Sequence, residues 1–172
     1  MTKIYTIGHS TRTVPELVEI LKTYRLNQLV DIRSIPRSLH NPQFNKPDLA
    51  KSLRNRGIGY RHLKGLGGLR HTTKGSVNTG WRNSSFRGYA DYMQTPEFAT
   101  NLDKLISLAK RKRVVIMCAE AVPWRCHRSL VADALAVRKI KVEHIFSATN
   151  SKAHELTPFA RIAGRNITYP AR

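Results

Sequence analysis

Val114-Val115-Ile116-Met117-Cys118-Ala119-Glu120 runs into Ala121-Val122-Pro123-Trp124-Arg125, and then into Cys126-His127-Arg128-Ser129-Leu130-Val131-Ala132-Asp133-Ala134-Leu135. The first segment is short, apolar and β-branched, the pattern of a buried strand. The last places apolar residues at 130, 131, 134, 135 and 137, which is helical spacing. The joint holds both cysteines of the chain, together with Glu120, His127 and Arg128. A strand, a loop and a helix with reactive side chains at the joint is how open α/β sheets build sites.

The same alternation extends outward. Residues 3–7 read as a strand, ending in the polar loop Gly8-His9-Ser10-Thr11-Arg12. Thr13-Val14-Pro15-Glu16 has the form of a capping box and predicts a helix to about Tyr24, with Val14, Leu17, Val18 and Leu21 on one face. A strand is predicted over 26–32, and Pro42 and Pro47 argue against a regular helix over 39–47. Asp48 is a candidate cap for a helix over 49–56, which Gly57 stops. A strand over 58–63 leads into Lys64-Gly65-Leu66-Gly67-Gly68, and an irregular stretch follows from 69 to about 88. Helical patterning resumes over 89–93 and again from Thr95-Pro96-Glu97, and a fifth strand is predicted over 141–146. The segment 147–172 is basic and weakly patterned, readable either as packing back or as a tail.

Alternating strands and helices favour a mainly parallel sheet with right-handed crossovers. The expectation is one α/β domain over 1–172: a Rossmann-like, three-layer arrangement of about five strands with helices on both faces. An inserted basic loop at about 69–88 and a basic C-terminal segment at about 147–172 complete it.

A chain of 172 residues is long enough for a full core without staples. The mean hydropathy of −0.40 fits a soluble protein, and no apolar run approaches the ~20 residues of a membrane span. No signal peptide is visible, and two cysteines make no disulfide framework, so a reducing, cytoplasmic setting is expected. Charge is the outlying property: thirty Lys and Arg against eleven Asp and Glu give +19. That favours a polyanionic partner, most simply a nucleotide or nucleic acid, against the plainer reading of a generally basic surface. Nine Lys or Arg fall between 51 and 87 with no acidic residue between Asp48 and Asp91. Trp81, Phe86 and Tyr89 are interleaved with them, suiting either base stacking or anchorage of the loop to the core.

In a parallel sheet every strand ends on the same edge. Gly8-His9-Ser10, Asp31-Ile32-Arg33, Gly65-Leu66-Gly67-Gly68 and Cys118-Ala119-Glu120 each close a predicted strand, so all four would converge on one crevice. Each has an ordinary structural reading as well. The glycines turn the chain, and Asp31 and Arg33 pair with each other or with Arg128. His9 is a local hydrogen-bonding residue, and Glu120 is a base, an orienting partner for His127 or a capping group.

These four stretches, with Pro36 after Asp31-Ile32-Arg33-Ser34-Ile35, Gly57-Ile58-Gly59-Tyr60 before Leu66-Gly67-Gly68, and Cys126-His127-Arg128 after Cys118-Ala119-Glu120, resemble the domain-of-unknown-function family 488 over nearly the whole chain. The resemblance implies a compact α/β domain. It marks Gly8, His9, Asp31, Arg33, Pro36, Gly67, Gly68, Cys118, Glu120, Cys126, His127 and Arg128 as signature positions, without assigning them a reaction.

Four chemistries fit the crevice. In the first, the helix start at Cys126-His127-Arg128-Ser129 attracts an anion, Arg33 and Arg128 clamp a phosphate, and Asp31 or Glu120 moves protons. Gly8, His9, Ser10, Gly67, Gly68 and Ser129 would line the substrate, as in an enzyme working at a phosphate or glycosidic bond of a nucleotide or nucleic acid. In the second, Cys126 beside His127 and Arg128 is an activated thiolate, a nucleophile or a reversible partner of Cys118. In the third, Cys118, Cys126, His127 and His9 supply a zinc-like ligand set, although their spacing matches no common module. The fourth is a non-enzymatic basic domain that holds nucleic acid through 69–88, with steep salt dependence. The leading expectation is the nucleotide or nucleic-acid enzyme, with Asp31, Glu120, Cys126 and His127 catalytic and no metal or other cofactor assigned. A thiol-dependent or metal-binding protein is the runner-up.

Overall fold

The computed structural model describes residues 2–171. Strands β1 (Lys3–Gly8), β2 (Gln28–Asp31), β3 (Gly59–His62), β4 (Val114–Cys118) and β5 (Lys141–Ser147) run parallel, and β6 (Asn150–Ala153) adds an antiparallel edge. Their order is β3-β2-β4-β1-β5-β6. The helices are α1 (Val14–Thr23), α2 (Lys46–Arg54), α3 (Ser84–Tyr92), α4 (Pro96–Ala109) and α5 (Arg128–Val137).

Side-chain alternation divides the core between the two sheet faces. Tyr5, Ile7, Leu29, Val115 and Met117 pack with Leu17 and Leu21 of α1 and Leu49 and Leu53 of α2. Ile4, Val30, Val114, Ile116 and Cys118 pack with residues of α3, α4 and α5 on the opposite face. The result is the Rossmann-like three-layer α/β architecture expected from the sequence, with six strands in the main sheet instead of about five.

The order of connections locates the crevice. From β1 the chain passes through α1 to β2 and through α2 to β3, always toward one edge. After β4 it passes through α5 to β5, toward the other edge and over the other face. β1 and β4 are neighbours, paired in register from Ile4↔Val114 to Gly8↔Cys118. The carboxyl ends of β1 and β4 are therefore the point at which the winding reverses, where open α/β sheets hold ligands.

Local details correct the sequence reading at several points. Thr13 caps α1 with the full capping box to Glu16, as expected. α2 starts three residues earlier than expected, with Asn45 at the cap and Pro47 inside its first turn. First-turn N–H groups have no intrahelical acceptor, so the proline is harmless there. α3 begins at Ser84, inside the stretch read as loop, because the Asn83 side chain accepts from the N–H groups of Ser85 and Phe86. Gly88 in this helix lies so close to the Arg70 backbone that a Cβ would sit 2.4 Å from its carbonyl oxygen.

The remaining loop is pinned down. Asp91 on α3 accepts hydrogen bonds from the Thr73 N–H, Ser76 and Asn78. Trp81 packs against Phe86, Phe159 and Tyr169, and Tyr89 is fully buried. The loop aromatics thus serve as anchors to the core. The C-terminal segment packs back: after β6 comes a hairpin of β7 (Arg161–Ala163) and β8 (Asn166–Thr168), with Gly164 at φ +65° and Ile167 and Tyr169 buried.

Candidate active site

Cys118 closes β4 on the α5 side of the sheet. The chain then makes a 3₁₀ turn at Pro123–Arg125 and returns so that Cys126 precedes α5. The Cys126 N–H donates to the Pro123 carbonyl, which fixes the return. The two sulfurs lie 2.6 Å apart. Cys126 Sγ is also 3.4 Å from His127 Nδ1 and accepts from the Arg128 backbone N–H at 3.4 Å.

The ring of His127 is oriented from its far side. Its Nε2 lies 2.8 Å from the Ile32 carbonyl oxygen. A carbonyl only accepts, so Nε2 carries a proton and Nδ1 is the atom left to exchange one with Cys126. Gly68 makes room for this ring: a Cβ there would fall 2.6 Å from Nδ1.

The two thiols are driven apart in acidity. Burial alone would raise Cys126. The hydrogen bonds from Cys118 and His127, with the charges of His127 and Arg128, outweigh it and hold the thiol well below its ordinary range. Burial and the adjacent Cys126 push Cys118 well above that range. Of the two, Cys126 is thus the cysteine whose surroundings favour ionisation.

Arg128 contributes positive charge beneath the cysteines. It is completely buried, donating to Thr6 Oγ1 at 3.1 Å and to the Glu120 carbonyl at 3.0 Å. Among the described residues no carboxylate pairs with it, and its Nε has no acceptor. A buried guanidinium without a counter-charge is costly, and its positive charge is one of the causes that lower the Cys126 thiol.

The second polar cluster closes on itself. Arg33 grips Asp31 bidentately, Nε to Oδ1 at 2.8 Å and Nη2 to Oδ2 at 2.6 Å, and also donates to the Phe44 carbonyl. Tyr60 donates to the same carboxylate at 2.5 Å. Asp31 is fully buried. Both of its oxygens are held, by Arg33 and Tyr60, so it orients Arg33. Arg128, engaged inside the fold, does not reach out to clamp a ligand. His9 is buried, stacked on Phe44 at 4.3 Å, with Nδ1 on the Ser10 carbonyl and Nε2 3.4 Å from Arg33. Burial lowers its affinity for a proton. It does not join the cysteines, so the zinc-like set of His9, Cys118, Cys126 and His127 is not assembled. Among the described residues no three His, Cys, Asp or Glu side chains gather as a metal site.

The glycines act through close approach. A Cβ on Gly8 would sit 1.6 Å from the Glu120 carbonyl oxygen, so only glycine lets β1 end against the loop after β4. Gly67 similarly passes 2.7 Å from the Ser34 Cα, measured from where its Cβ would be. Ser10, at φ 47°, donates its N–H to the Ala119 carbonyl. Ser129 donates to the Cys126 carbonyl and faces a different cavity.

A cavity of about 420 Å³ opens over the sulfurs. Cys118, Cys126, His127, Glu120, Arg33 and Gly68 line it, whereas Gly8, His9, Ser10 and Asp31 do not. Two residues that the sequence reading did not select line it as well. Arg37 and Arg125 are exposed and, among the described residues, take part in no ion pair. Arg125 stood within the cysteine loop, where its position next to Cys126 was the available signal. Arg37 follows the Asp31–Pro36 stretch and had none of its own.

A family model described as "Domain of unknown function DUF488" matches residues 13–135, more than half of the chain. The chain belongs to the DUF488 family. The match runs from the cap of α1 into α5 and so takes in Asp31, Arg33, both cysteines, His127 and Arg128. It stops short of Gly8 and His9 on one side and of β5 on the other. No curated protein and no solved structure matches the chain. Among the described residues of this DUF488 chain, no helix is long and apolar enough to cross a membrane.

Proposed function

We propose that this protein is a thiol-dependent enzyme whose nucleophile is Cys126 and whose substrate carries a phosphate or similar anionic group, as nucleotides and nucleic acids do. The observation that carries the reading is the placement of Cys126, with its sulfur 3.4 Å from His127 Nδ1 and on the Arg128 N–H, at the wall of a cavity bearing Arg37 and Arg125.

The chemistry follows from the placement. The thiolate attacks the electrophilic carbon or phosphorus, a bond to sulfur forms, and the bond to the leaving group breaks. His127 holds the proton lost by Cys126 at Nδ1 and delivers it to the leaving group. Water then attacks the covalent intermediate with His127 or Glu120 as base, releasing product and restoring the thiolate. Cys118 keeps its own proton and directs it at Cys126, which steadies the thiolate between turnovers. Arg37 and Arg125 hold the anionic group, while Arg33 is fixed by Asp31 and Tyr60.

Protection from alkylation tests this reading. Iodoacetamide should label Cys126 in the native protein, and millimolar phosphate or adenosine monophosphate should slow the labelling several-fold. The double variant Arg37→Ala/Arg125→Ala should keep the labelling and lose the protection. Labelling indifferent to every anion would remove the substrate class. No labelling of Cys126 would remove the nucleophile.

A further inference from the structure

A second cavity, of about 330 Å³, lies on the other side of the Pro123–Arg125 turn. The turn separates the two: Arg125 lines the cysteine cavity, and Trp124 lines this one. Its walls are aromatic and come from separate parts of the chain. Trp81 belongs to the loop before α3, Phe146 to β5 and Phe159 to the segment after β6. Both tryptophans of the protein are among them.

The walls differ in freedom. Trp81 is held edge-on by Phe159 at 4.8 Å and Phe86 at 5.1 Å, and is tilted against Tyr169 at 5.5 Å. Trp124 is 64% exposed and meets Phe146 only at 6.2 Å and 45°. A fixed aromatic wall faces a space whose other side is an indole with an uncovered surface. That is the arrangement that admits a flat ring by stacking.

The polar groups say how such a ring would be read. His154 also lines the cavity, but its nitrogens are already engaged, Nε2 with Asp133 at 2.8 Å and Nδ1 with His144 at 2.9 Å. The wall therefore offers ring surface and, at the buried Trp81 Nε1, a donor without a partner among the described residues. The exposed Glu155 shares the lining with Lys152, which is likewise exposed and, among the described residues, unpaired. With a chain charge of +19, Lys152 favours a ring that carries an anionic group.

We infer that this cavity is a second binding site, taking the base of a nucleotide by stacking against Trp124, with the phosphate directed outward to Lys152. The site does not depend on Cys126, and its test reads a different cavity from the alkylation experiment.

The two tryptophans make the intact protein its own probe. Adenosine monophosphate and adenosine should quench the native fluorescence saturably, with adenosine binding more weakly, and inorganic phosphate should leave it unchanged. By calorimetry, Trp124→Ala should weaken adenosine monophosphate about tenfold or more and Trp124→Phe should largely restore it. Lys152→Ala should weaken the monophosphate and leave adenosine unaltered. A short single-stranded oligonucleotide that saturates the quenching where the free monophosphate does not would support the stacking site and assign its base to a nucleic-acid strand. The absence of saturable quenching by both, or equal affinity in Trp124→Ala, would overturn the inference.

Discussion

Gly8 and Gly68 show how tightly single residues set this site. Gly8 lets β1 end against the Glu120 carbonyl, and that carbonyl in turn accepts from Arg128. Gly8→Ala should therefore cost about 3 kcal/mol or more of stability, or displace the loop after β4, because overpacking against backbone cannot be relieved by a rotamer change. Urea unfolding of the variant reports the first outcome and lost Cys126 reactivity the second. His127→Ala removes both a hydrogen bond and a charge that favour the thiolate. The variant should fold and should need a higher pH to reach the wild-type alkylation rate. An unchanged pH dependence would show that Arg128 and Cys118 suffice. At this scale the sequence was informative about which residues meet, since strand ends in a parallel sheet share an edge. It was silent on their division of labour. Nothing local to Asp31 announces that both its oxygens are taken by Arg33 and Tyr60, and nothing local to Arg128 announces that it turns inward to Thr6.

Among the elements, β5 carries a feature with a pH signature. His144 sits in a buried row that runs from Arg128 through Thr6, His144 and His154 to Asp133, with Tyr169 also donating to Asp133. Burial first, and then His154 and Arg128, push His144 down to about 3. Unfolded, it takes a proton near 6.5, so between those values the unfolded chain binds more protons than the folded one. Stability should fall as pH drops from 7 toward 3, by up to ~5 kcal/mol from this group. The slope of unfolding free energy against pH should be shallower over that window in His144→Asn, and an equal slope would contradict the assignment. The row links segments far apart in sequence, which is why no pattern in β5 alone revealed it. The same distance hid the true extent of α3. Its glycine and serines are poor helix formers, and what decides the matter is the Asn83 cap and the use of Asp91 to hold the loop at Thr73, Ser76 and Asn78. Asp91→Ala should cost ~2 kcal/mol by leaving those donors unsatisfied, and should expose the loop to limited proteolysis. Where the pattern was strong, as in the capping box of α1 and the β-branched run of β4, the reading and the structure agree.

Across the whole molecule, the winding of the sheet brings the two cysteines to the place where its connections diverge. Alternation of strands and helices was enough to expect a parallel three-layer fold. It could not supply the strand order, which depends on which long-range pairings win, and so could not identify β1 and β4 as neighbours. The C-terminal segment was the least legible part, because its hairpin and Tyr169 are stabilised by packing onto Trp81 and Asp133. A net charge of +19 is a property of the entire surface. Retention on single-stranded DNA should be strong at low salt and fall steeply as salt rises, and a shallow salt dependence would show that the charge serves no polyanion.

The central claim is that Cys126 is a thiolate under ordinary conditions, and its rate of alkylation as a function of pH tests it most directly. Measured by intact mass in Cys118→Ala and in wild type, the wild-type rate should already be near its plateau at neutral pH and fall only on acidification, with no labelling in Cys126→Ser. Because Cys118 contributes to the thiolate, its removal should shift the curve to higher pH without abolishing reaction. A rate that rises only through the ordinary thiol range, near pH 8 to 9, would contradict the account.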